Sequence, residues 1–93
     1  MIDESMDFIL TSDLPDSVKM KMILTQRGFD SVRRNAPIGT VLVKDDYMVF
    51  YLPSFQRWNL LDLTVPIGKL PVEFSCGEVR EMITELFSRG IIT

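Results

Sequence analysis

The sequence predicts an α+β domain: an antiparallel sheet of three to five strands, with a meander over residues 40–63, and two helices at about 15–27 and 76–89. Three observations carry this. Two neighbouring runs, residues 40–44 and 47–52, are dense in β-branched and aromatic side chains that fit a pleated surface. Val79, Met82, Ile83, Leu86 and Phe87 recur at the spacing of one helix face. Finally, 93 residues with 46% hydrophobic and 25% charged content suit one globular domain, far from the polar regime of disorder.

Taken in order, residues 7–11 (Asp7-Phe8-Ile9-Leu10-Thr11) have the apolar content of a short strand. Ser12, Asp13 and the early Pro15 then announce a helix start. That helix places Val18, Met22, Ile23 and Leu24 on its apolar face and stops at Gly28, the residue type best suited to a left-handed C-terminal position. Residues 29–34 form a weakly patterned strand. Asp45-Asp46 is the hairpin turn between the two strong runs, which are apolar on both alternations and so are expected to be covered on both faces. Residues 53–56 break the chain before a further strand at 57–63, with Trp58, Leu60 and Asp62 on one side. Residues 64–74, with Pro66, Gly68 and Pro71, read as an irregular connection. Ser75 and Glu78 match a capping box for the second helix, which ends at Gly90. A Pro-Ile-Gly triplet occurs at both 37–39 and 66–68, which turn chemistry alone explains.

Composition narrows the chemistry. With no His, the Ser-His-Asp and Cys-His nucleophilic pairs and His ligation of metals are all removed. A single cysteine, Cys76, excludes an intramolecular disulfide and a structural zinc set from one chain. The five glycines are too dispersed for a phosphate loop. We therefore expect no catalytic residues, no metal and no cofactor. Cys76, read as lying in the first turn of a helix, is the one thiol whose pKa that position would lower. An acidic, unbasic N-terminal segment and a longest apolar run of six residues, against about 20 for a spanning helix, lead us to expect neither export nor membrane insertion; the expected location is cytoplasmic.

The net charge of −3 hides an asymmetry: residues 1–16 carry five acids and no base, residues 17–44 six bases and one acid. Their simplest use is mutual neutralisation within the fold or between copies. For recognition, the group Tyr47, Tyr51, Phe55, Arg57 and Trp58 stands out, because Tyr, Trp and Arg couple large contact area to a polar group and dominate binding hot spots. The expected function is that of a small regulatory or inhibitory protein, of the kind phages and other viruses encode, acting by stoichiometric binding to a protein partner; a homodimer is one form of this. The rival reading is a nucleotide or nucleic-acid binder using Arg33 and Arg34 for anions, with Arg57 and Trp58 stacking.

Overall fold

The computed structural model describes residues 2–32, 39–65 and 72–93. In chain order the elements are α1 (Glu4–Leu10), α2 (Asp16–Thr25), β1 (Asp30–Ser31), β2 (Val41–Lys44), β3 (Tyr47–Leu52), β4 (Arg57–Asp62), β5 (Val72–Cys76) and α3 (Val79–Ser88). The five strands form one antiparallel sheet in the order β1-β2-β3-β4-β5, so the α+β class and the meander both hold. Arg33, Arg34, both prolines of the Pro-Ile-Gly pair and most of the predicted irregular connection lie outside the described residues.

The first correction is at the N-terminus, where residues 7–11 belong mostly to a helix rather than a strand. Asp3 is its N-cap: Oδ1 accepts from the Met6 backbone N–H at 2.9 Å and from the Ser5 hydroxyl at 2.9 Å. Met6 and Leu10, one helical turn apart, are buried, and Ile2 and Ile9 pack beside them. Those four positions follow helical periodicity only when the window starts at Ile2. Among the described residues there are thus three helices instead of two.

The second correction concerns α2. Its N-cap is Pro15, with no side-chain cap, because the Ser12 hydroxyl instead donates to Ile9 O at 2.6 Å and closes α1. The buried face is Met20, Ile23 and Leu24, while Val18 and Met22, expected inside, are each 37% exposed.

The third correction is at the other end of the sheet. Residues 72–76 form β5, paired with β4 through Leu60↔Phe74 and Trp58↔Cys76, with a register irregularity at Leu60/Leu61. The Ser75–Glu78 capping box is therefore absent: Ser75 is a strand residue whose hydroxyl accepts from Arg57 Nε at 3.2 Å, and α3 starts after Glu78 with no side-chain cap. The helix itself forms as its spacing dictates, burying Val79, Met82, Ile83 and Leu86, each worth about 1.5–3 kcal/mol relative to exposure.

The hairpin turn is as expected. Lys44 pairs with Tyr47 across Asp45-Asp46, and Asp45 takes the left-handed φ of 52° that a two-residue turn demands. Two helices end in the same way. Gly28 and Gly90 have φ of 97° and 73°, and the residue after each donates its N–H back to the helix: Phe29 to Leu24 O and Ile91 to Leu86 O, both at 3.0 Å. Both following residues are buried, so each left-handed glycine steers the chain into the core. Lys44 joins these two exits. Its stem passes where a Cβ on Gly28 would lie 3.3 Å from Cε, and its ammonium donates to Ile91 O at 2.6 Å.

Register defines the two faces of the sheet. Leu42, Val49, Leu60 and Phe74 lie in one cross-strand row, with Tyr47, Tyr51, Trp58 and Cys76 on the same side. All three helices pack there, in a single cluster. Val43, Met48, Phe50, Leu52 and Leu61 lie on the opposite side and take no part in that cluster. Among the described residues helices cover one face; on the other, which has no helix, Val41 and Asn59 are buried and Val43, Met48, Phe50, Leu52 and Leu61 are half-buried.

Candidate functional site

Strand alternation divides the predicted recognition group. Trp58 is 1% exposed and belongs to the core, which corrects its assignment as a surface anchor. Tyr47 and Tyr51 are half-buried against that core, and the Tyr51 ring sits 4.8 Å from Trp58, tilted by 48°. Arg57 projects to the helix-free face, where its guanidinium donates to Ser75 Oγ and, at 3.0 Å, to Ser75 O. Phe55, 72% exposed, stands at the β3–β4 turn next to Gln56, whose φ of 53° tightens it. Phe55 and Arg57 therefore remain available to a partner, whereas Trp58 cannot stack on a base.

Two features emerge that the sequence did not single out. The first is the helix-free face, with Val41, Val43, Met48, Phe50, Leu52 and Leu61 contiguous across three strands. Asn59 sits among them, 7% exposed, and its amide donates only a long 3.4 Å bond to Arg57 O. Period-two apolar content on both alternations of β2 and β3 was the signal for it.

The second is a groove of about 640 Å³ at the start of α2. Exposed Asp16, Ser17 and Lys21 from α2 form one rim, Ser31 and Thr40 contribute from β1 and the approach to β2, and Tyr51 and Trp58 line its inner part. Trp58 Nε1 is buried without an acceptor, a state that ordinarily costs about 1–3 kcal/mol. The Lys21 side chain makes no hydrogen bond or ion pair among the described residues, while its backbone carbonyl accepts from the Thr25 hydroxyl at 2.6 Å. In sequence, Arg33 and Arg34 directly follow Val32, another groove residue.

Elsewhere the charges are used structurally. Among the described residues the acidic start of the chain does meet the basic segment once, through Asp3–Arg27 at 3.5 Å, but Asp7 instead pairs with Arg80 at 2.8 Å. The Asp3 carboxyl is held below its usual pKa, chiefly by the Met6 N–H, then by the Ser5 hydroxyl, with Arg27 adding to it. Cys76 ends β5 instead of opening a helix. Burial pushes its thiol pKa up, only partly offset by a backbone hydrogen bond from Glu78, so the expected activation is reversed; the thiol itself donates to Glu78 O at 3.3 Å. Among the described residues no three His, Cys, Asp or Glu side chains gather as a metal site, and no helix is long and apolar enough to cross a membrane. No family model, curated protein or solved structure matches the chain.

Proposed function

We propose that this chain is a non-catalytic binding protein that engages a protein partner stoichiometrically, through the helix-free face of its sheet. The observation that carries the reading is the contiguous apolar row across β2, β3 and β4 on the side away from the helices. Three strands about 4.8 Å apart and at most about 20 Å long give a footprint of roughly 300 Å². Such a patch is at the lower end of the largest apolar patch that a monomer ordinarily exposes, and it is much smaller than the roughly 800 Å² that each partner buries in a standard complex. A small, reversible interface fits that size. Phe55 and Arg57, at one end of the β3–β4 hairpin, extend it with an aromatic and a cation. A second copy presents the same apolar row and is the simplest partner.

Sedimentation velocity over a wide concentration range tests this, comparing the native chain with Phe50→Glu and with Phe55→Ala. Self-association that Phe50→Glu abolishes, with circular dichroism unchanged, supports the sheet face. Association retained in Phe50→Glu overturns it, and loss confined to Phe55→Ala moves the contact to the hairpin tip. If the native chain stays monomeric throughout, a second copy is not the partner.

A further inference from the structure

We propose that the outer edge of β5 is a latent strand-addition surface for a second copy of this chain, held shut by Arg57 and Arg89. The outermost strands of the sheet are β1 and β5. With two residues, β1 offers little to pair with, whereas β5 has five. Leu63 donates its N–H to Asp46 O at 2.8 Å, so along β3 and β4 the mutually hydrogen-bonded pairs are Met48–Leu61 and Phe50–Asn59. Trp58 and Leu60 therefore bond toward β5, where Cys76 and Phe74 face them. Ser75, between those two, turns its N–H and C=O to the outer edge.

Two carbonyls of this strand are capped by guanidinium groups that arrive from opposite sides of the sheet. Arg57 crosses the helix-free face from β4 and donates Nη2 to Ser75 O at 3.0 Å, with Nε on the Ser75 hydroxyl at 3.2 Å. Arg89, at the end of α3, donates Nη2 to Glu73 O at 3.2 Å, while Glu85 holds its Nε at 2.7 Å. A strand added here must displace both cations, and charged side chains blunt an exposed edge in this way. The Ser75 N–H keeps no acceptor among the described residues. A second β5 fits because the edge is self-complementary: antiparallel about Phe74, Ser75 lies opposite Glu73 of the other copy, so no like charges meet, and the two Phe74 rings form the close, non-bonded pair. None of this rests on the protein-binding face.

The test uses the full chain with Phe50→Glu as background, so that the helix-free face is silent, and reads association by sedimentation velocity. Arg57→Met and Arg89→Met keep the apolar stems and remove the donors; they should raise the association constant about tenfold each and about a hundredfold together. Hydrogen exchange at the Ser75 amide, fast in the background chain, should slow in the dimer. Lys21→Met, a comparable loss of an exposed charge away from β5, should leave association unchanged, and Arg57→Lys with Arg89→Lys, which return one cation to each carbonyl, should suppress it. A double methionine variant that keeps its native circular dichroism and gains no association overturns the clamp, as does an equal gain in Lys21→Met. Association that leaves the Ser75 amide fast overturns β5 as the surface. Should the double variant lose its fold, the two single variants carry the same criteria at about tenfold. Self-association of the Phe50→Glu background itself counts against the sheet-face reading and leaves these comparisons intact.

Discussion

Replacing Gly28 by Ala should destabilise the domain much more than replacing Gly90, although both glycines close a helix in the left-handed region. An L-residue there costs roughly 1–2 kcal/mol, while Ala returns about 0.4–1 kcal/mol by restricting the unfolded chain. At Gly90 (φ 73°) a Cβ meets nothing within 4 Å, so the net loss is about 0.5–1 kcal/mol. At Gly28 the φ of 97° is further from the left-handed well, and the new Cβ lies 3.3 Å from Lys44 Cε. Moving that stem draws the ammonium away from Ile91 O, a charge-assisted bond of about 1.5–3 kcal/mol. The total for Gly28→Ala is then about 2–4 kcal/mol. Urea unfolding followed by Trp58 emission reads the difference, since a slope of about 1–1.5 kcal/mol/M separates the two midpoints by about 1 M or more. In a Lys44→Met background, Gly28→Ala should cost little more than Gly90→Ala. Equal midpoints for the two single variants, or full additivity with Lys44→Met, would refute the reasoning.

Three further outcomes follow from particular residues. Iodoacetamide should modify Cys76 more slowly than a free thiol at pH 7, because burial favours its protonated form; a raised folded pKa also means that its contribution to stability is complete at neutral pH and declines as alkaline pH ionises the unfolded thiol, a decline that Cys76→Ala should lack in alkaline denaturation series. Asp3 has the opposite sign: its folded pKa is depressed below 3.8, so its contribution is present above that value and lost as pH falls through the folded pKa, and Asp3→Asn should flatten this part of an acid titration of helicity. Gln56→Gly should raise stability by up to about 1 kcal/mol in thermal melts, because glycine adopts the φ of 53° at the β3–β4 turn without a Cβ penalty.

The parts of the fold that were legible are those where a local pattern and the tertiary environment agree. The β2–β3 hairpin has its turn residues and its apolar runs in register, and α3 carries five apolar residues on one stripe with Gly90 behind it. Helix α1 was misread because Asp7-Phe8-Ile9-Leu10 taken alone has no period, whereas Asp3 as cap and Ile2 and Met6 as the first turn supply one. Strand β5 was missed because Ser75 and Glu78 satisfy a capping pattern locally, and only the pairing of Phe74 with Leu60 outweighs it. For the site, residue types marked the hairpin but could not say which side of the sheet each residue faces until the register was known. Arg57 and Trp58, adjacent in sequence, point to opposite sides, and the groove draws its residues from α2, β1 and β3–β4, which no sequence window brings together.

The lysine on β2 that touches both helix exits has a dynamic consequence. Native-state hydrogen exchange measures the free energy of each opening event, and segments that share a tether open together. The amides of Phe29 and Ile91, 62 positions apart in the chain, each close a helix end beside the same side chain. They should therefore exchange with one common opening free energy and one common denaturant dependence, while Lys44→Met should split them into two independently fraying termini.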